Sequence, residues 1–151
     1  MATETPQHRV ESDLRTAMKS SDKERLSTLR MLLTEINNEA LKSGEVDETG
    51  FVALVRRAIK QRDEAAEQFA KGHRPELAAK ELREKEILST YLPAQVDEAT
   101  IRAAAHEIAM AEGLAPGIGM GTLMKALREK FGISADGSTL SRISKETLQG
   151  R

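Results

Sequence analysis

An all-α fold in two helical subdomains is what this sequence predicts, and three observations carry the prediction. Apolar residues recur at three- and four-residue spacing in long charged segments, and none of these segments alternates as a strand would. Aromatic residues are only 3% of the chain, so a core must come from Leu, Ile, Ala and Met. The stretch Ser89-Thr90-Tyr91-Leu92-Pro93-Ala94-Gln95-Val96-Asp97 then interrupts the helical pattern. Pro93 has no N–H to donate and pushes Leu92 out of the α region, so an arriving helix must stop there. Asp97 offers an N-cap for a fresh helix, with Glu98 in its first turn. This rigid elbow divides the chain into a larger N-terminal helical subdomain of about four helices, residues 1–92, and a small three-helix C-terminal subdomain, residues 93–151.

In the N-terminal part a first helix is expected over about Gln7 to Ser20, with Val10, Leu14, Ala17 and Met18 on one stripe. Ser21 and Glu24 match a capping box that starts the second. Its seam is Leu26, Leu29, Leu33, Ile36 and Ala40, and Gly44 ends it. Asp47 caps a third helix, Glu48 to Lys71, whose apolar face is Phe51, Val52, Val55, Ala58, Ile59, Ala66 and Phe69. Arg62 falls inside that stripe. After the stop at Gly72 and the helix-starting Pro75 comes a fourth helix, Glu76 to Leu92, with a stripe of Leu77, Glu84, Ile87, Leu88 and Tyr91. Two neighbouring helices therefore each carry one opposite charge in an apolar seam. Arg62 and Glu84 are expected to meet, because an unpaired charge there costs several kcal/mol; Glu81 is the alternative partner if the helix register is off by one step, and removing one partner of a buried pair should cost about 3 kcal/mol.

Beyond the elbow, Glu98 to Glu112 forms a fifth helix with Ile101, Ala104, Ala105 and Ile108 inward. A Gly-punctuated loop leads to a sixth, about Gly119 to Phe131, carrying Met120, Leu123, Met124, Leu127 and Phe131. Gly132 ends it, Asp136-Gly137 turns the chain, and a seventh helix runs from Ser138 with Leu140, Ile143 and Leu148.

The chemistry is sparse. There is no cysteine, which excludes disulfides, thiolate metal sites and a Cys nucleophile. His8, His73 and His106 lie in three different elements, and no Ser/His/Asp set or metal-ligand spacing is present, so no catalytic residue, metal or cofactor is assigned. Gly117-Ile118-Gly119-Met120-Gly121 lacks the preceding strand and following Lys-Ser/Thr pair of a phosphate loop. It reads as a helix start that lets the sixth helix pack close to the fifth; contact of its free N–H groups with an RNA phosphate is the alternative. The basic residues from Arg56 to Arg62 share their helix with Asp63, Glu64 and Glu67 and read as a solvated, salt-bridged face. Residues 119–151 differ. Six basic residues against three acidic ones give a local +3 where the whole chain is -1, and Lys125, Arg128, Lys130, Arg142 and Lys145 are the candidate RNA contacts. The polar N-terminus and the lack of a long apolar run predict a cytoplasmic protein with no membrane partner.

Several pieces together resemble a known family. They are Leu29-Arg30-Met31-Leu32, Arg56-Arg57-Ala58-Ile59-Lys60-Gln61-Arg62, Leu77-Ala78-Ala79-Lys80-Glu81, Tyr91-Leu92-Pro93-Ala94-Gln95, Met120-Gly121-Thr122-Leu123-Met124 and Ala135-Asp136-Gly137. In this order, over essentially the whole chain, they resemble the stand-alone YqeY proteins of the GatB/YqeY family. That family is similar to the C-terminal region of the B subunit of the tRNA-dependent amidotransferase, which amidates Glu-tRNA(Gln) or Asp-tRNA(Asn). The resemblance implies a tRNA-binding tail without the catalytic domain. A carbon–nitrogen ligase label, with glutamine as amido-N donor, would come to the chain by inheritance. Partners implied in the same way are tRNA and an amidotransferase or aminoacyl-tRNA synthetase. Two rival readings are a protein–protein adaptor with no RNA role and an amidotransferase-like enzyme in its own right.

Overall fold

A computed structural model describes residues 4–150. Met1 to Thr3 of the polar N-terminal run, and Arg151 among the counted basic residues, lie outside it. The protein is all-α: α1 (Pro6–Lys19), α2 (Lys23–Ser43), α3 (Glu48–Lys71), α4 (Pro75–Ser89), α5 (Glu98–Glu112), α6 (Met120–Phe131) and α7 (Gly137–Gln149). One 3-10 turn, Gly132–Ser134, follows α6, and no strand occurs among the described residues. The chain separates into two compact units, one ending at Leu92 and one beginning at Pro93.

In the first unit the core is Val10, Ala17, Leu29, Leu32, Ile36, Phe51, Leu54, Val55, Ala58 and Leu88. Leu32 rather than Leu33 is the fully buried member of the α2 seam, and Leu33 packs at its margin. Phe51 is wholly buried and meets Tyr91 edge-on, ring centroids 5.8 Å apart and planes at 84°. The Arg9 guanidinium lies 5.4 Å from the Phe51 centroid and pairs with Glu48 at 2.8 Å. Tyr91 completes the group by donating its hydroxyl to Asp13 Oδ2 at 2.5 Å. Burial, and then this bond to a carboxylate, raise the Tyr91 hydroxyl above its usual range.

The start of α2 corrects the sequence reading. Its N-cap is Asp22, whose carboxylate accepts the Arg25 N–H at 3.1 Å. Ser21 sits at φ 56 and belongs to the end of α1. The Asp22 N–H bonds Ala17 O and the Ser21 N–H bonds Met18 O, the paired contacts of a Schellman closure. Ser21 cannot close one helix in the left-handed region and cap the next from the extended region.

The fourth helix is also shorter than expected. It ends at Ser89, and Thr90, Tyr91 and Leu92 continue as i→i+3 bonded turns. The restriction that Pro93 places on Leu92 tightens the last turn, while the Ser89 and Thr90 hydroxyls bond back to Lys85 O and Ile87 O.

The second unit is a three-helix arrangement around Ile101, Ala104, Ala105, Ala109, Leu123, Met124, Leu127, Leu140, Ile143 and Leu148. Asp97 caps α5, accepting the Thr100 N–H at 2.7 Å, and its carboxyl is held below the usual range first by the Thr100 side chain and then by that N–H. Gly119 is buried at the start of α6. A Cβ there would lie 2.8 Å from Leu114 Cβ and 3.0 Å from Ala115 O. The glycine therefore serves close packing against the preceding loop, rather than against α5 itself.

Candidate nucleic-acid interface

The five basic residues proposed from sequence divide into three groups, and the helix register shows why. Lys125 and Arg128 are three residues apart on α6, about 60° around its axis, whereas Lys130 lies about 140° from Lys125. Lys130 stands with Glu107, Ile108 and Glu112 of α5 around one depression, so it belongs to the α5 flank.

Arg142 is committed elsewhere. It is hydrogen-bonded to Glu98 of α5 and pairs with Glu146 at 3.6 Å. Arg102 bridges the same two acids, at 3.3 Å to Glu98 and 3.5 Å to Glu146. Two cations and two anions thus form a neutral set across α5 and α7. The hydrogen bond from Arg142 holds the Glu98 carboxyl below its usual range and raises the guanidinium of Arg142. The i,i+4 spacings Glu98–Arg102 and Arg142–Glu146 were signals for this network in the sequence.

Lys125, Arg128 and Lys145 remain. Ser144 donates its hydroxyl to Met124 Sδ at 3.4 Å, and Met120 lines a depression with Leu148. These contacts run α6 and α7 antiparallel, with the Met124 and Ser144 faces together. The right-handed winding of two antiparallel helices then carries Arg128 and Lys125, beyond Met124, and Lys145, beyond Ser144, to the same outer side of the seam. All three are exposed, and none has an ion-pair partner among the described residues. Of the seven acidic residues of this unit, Glu98, Glu107 and Glu112 lie on α5, which has Arg102 as its one basic residue, and Glu129 lies one turn from Lys125 on α6. The outer α6/α7 face therefore carries Lys125, Arg128 and Lys145 against Glu129, a net excess of two positive charges.

The first unit contains a different cluster. Arg62 and Glu84 are buried, at 7% and 6% exposure, and stand 3.4 Å apart. Glu81 approaches the same Arg62 Nε at 3.8 Å. Arg62 Nη2 reaches Met31 Sδ at 3.7 Å, and its Nε has no hydrogen-bond partner. Burial raises the Glu84 carboxyl, the adjacent Glu81 raises it further, and Arg62 opposes both. Sequence reasoning paired Arg62 with Glu84 and held Glu81 as an alternative; both carboxylates stand at the guanidinium. His8, His73 and His106 are exposed, and no group of three potential metal ligands occurs among the described residues. No described helix is long and apolar enough to cross a membrane.

A family model described as "Yqey-like protein" matches residues 7–148. The chain belongs to the YqeY-like family. Relatives of this YqeY-like chain include the protein named "Altered inheritance of mitochondria protein 41, mitochondrial" in three organisms. Identity is 31% over 85 residues in Vanderwaltozyma polyspora and 34% over 85 in Lachancea thermotolerans, each covering 55% of this chain and 46% of the relative. In Pyrenophora tritici-repentis it is 28% over 95 residues, covering 60% of this chain and 52% of the relative. The matched segments thus span about half the length of those curated relatives, whose names place them in mitochondria.

Proposed function

We propose that this YqeY-like chain is a non-catalytic tRNA-binding accessory protein of the cytoplasm, functionally tied to the tRNA-dependent amidotransferases that its sequence resembles. The observation that supports this reading is the set of three exposed cations, Lys125, Arg128 and Lys145, on one outer face of α6 and α7, with no ion-pair partner among the described residues and only Glu129 as an acid beside them. Cations without protein partners on a common face suit phosphates, and contacts to paired RNA go chiefly to backbone and 2′-hydroxyl groups. Arg142 contributes less, because Glu98 and Glu146 already neutralise it.

The test is tRNA affinity as a function of salt. Three phosphate contacts give a log–log slope of about -2 to -3. Reversing Lys125, Arg128 and Lys145 to Glu should flatten that slope and weaken all tRNAs alike, with an unchanged melting curve. Reversing Arg56 and Lys60 should do much less. Unchanged affinity in the triple reversal refutes the assignment, and a partner captured in nuclease and high salt would replace it with a protein adaptor. Incubation with glutamine, ATP and misacylated tRNA should yield no amide product.

A further inference from the structure

At the loop end of the basic face lies a depression of about 250 Å³ lined by Pro116, Gly117, Met120, Lys145, Leu148 and Gln149. Leu148 is 2% exposed and forms its floor, with Met120 and Pro116 as further hydrocarbon. The loop wall is held in place at its base. The Gly119 N–H donates to Ala115 O at 2.9 Å, and the missing side chain of Gly119 lets Leu114 and Ala115 close onto α6. Lys145 and Gln149 are one turn apart on α7, so an ammonium and a carboxamide stand together at the rim.

We propose that this depression receives one unpaired nucleobase of an RNA whose phosphates run along Lys145, Lys125 and Arg128. The inference rests on the RNA-binding reading above and specifies its ligand. Hydrocarbon walls accept the faces of a base, the Gln149 carboxamide presents both a donor and an acceptor to its edge, and Lys145 meets the adjoining phosphate. A base stacked inside a duplex cannot enter such a slot, so the preferred ligand carries a splayed nucleotide at a loop, bulge or end. A free nucleotide has the same chemistry but lacks the flanking phosphates that Lys125 and Arg128 would hold.

The experiment uses the full chain and a fluorescently labelled RNA duplex, blunt or with a short single-stranded overhang. The overhang should bind roughly fivefold more tightly, the gain from one net hydrogen bond between the Gln149 carboxamide and the base edge. Gln149→Ala should remove most of that preference and leave blunt-duplex affinity unchanged. Equal affinity for the two duplexes, still dependent on Lys125, Arg128 and Lys145, overturns the nucleobase slot and leaves the phosphate face standing. Failure to bind either duplex overturns both. In an NMR titration, adenosine monophosphate shifting Met120, Leu148 and Gln149 signals, with no overhang preference, would give the slot to a free nucleotide and overturn its assignment to an RNA base.

Discussion

Replacing Arg62 by Ala should be the more damaging of two substitutions that sequence pairing alone would rank as equals. Arg62 is the one cation set between Glu84 and Glu81, at 3.4 and 3.8 Å. Its loss leaves a 6% exposed carboxyl beside a second one, with only the weaker field of Lys80 to oppose them. Breaking a buried pair costs about 3–5 kcal/mol, and about 4 kcal/mol is expected here near neutral pH. Glu84→Ala leaves Arg62 with Glu81, and should cost about 1–2 kcal/mol, near the value of one charged hydrogen bond. Acidity separates the two variants further. The Glu84 carboxyl is raised in the folded protein, first by burial and then by Glu81. A raised pKa contributes stability that is complete below the unfolded value and is lost as pH rises through the folded one. Without Arg62 the carboxyl rises further, so Arg62→Ala should regain much of its loss on moving from about pH 7.5 to about pH 5. Glu84→Gln should flatten that pH dependence. Urea unfolding followed by far-ultraviolet circular dichroism at both pH values measures all of this. A Glu84→Ala loss equal to or above that of Arg62→Ala, with the same cost at both pH values, would refute the three-group account.

Two further outcomes follow from single contacts. Tyr91→Phe removes the 2.5 Å bond to Asp13 but keeps the ring on Phe51, and should cost about 2 kcal/mol by urea denaturation; no measurable change would mean that Asp13 finds water at no cost. Gly119→Ala drives a methyl to 2.8 Å from Leu114 Cβ and 3.0 Å from a backbone oxygen. It should lose about 1–3 kcal/mol in thermal unfolding, whereas Gly121→Ala, with open space around it, should not.

Helix limits were legible wherever a cap had only one task. Asp47 and Asp97 start α3 and α5 at the residues expected, because each is followed at once by a periodic run and preceded by a loop. Ser21 misled because α1 and α2 are so close that its backbone was already taken by the first helix. His73 is a milder case. It occupies the left-handed position after Gly72, at φ 59, with Arg74 N–H bonded to Phe69 O. The misplaced charges at Arg62 and Glu84 were visible as breaks in a stripe. Glu81 shares that face, one turn from both Leu77 and Glu84, and pattern alone offered it as an alternative to Glu84 rather than as a companion. The basic face was readable only as a count. Sorting Arg142 and Lys130 from the other three required knowing which flank of each helix meets α5, and this is set by tertiary packing, not by local periodicity.

The neutral set of Arg102, Arg142, Glu98 and Glu146 has a consequence for alignment. Each exposed pair is worth little, roughly 0.2–1 kcal/mol. Along parallel α5 and α7, however, the charges alternate at four-residue steps, anion then cation on α5 and cation then anion on α7. Sliding α7 one turn forward along α5 would set Arg142 beside Arg102; sliding it back would set Glu146 beside Glu98. The hydrocarbon interior of this unit is rich in alanine, whose small, similar side chains distinguish poorly between such shifts. The surface charges distinguish between them sharply, because a one-turn shift turns attraction into repulsion. They act as a vernier that fixes where along its length one helix meets the other.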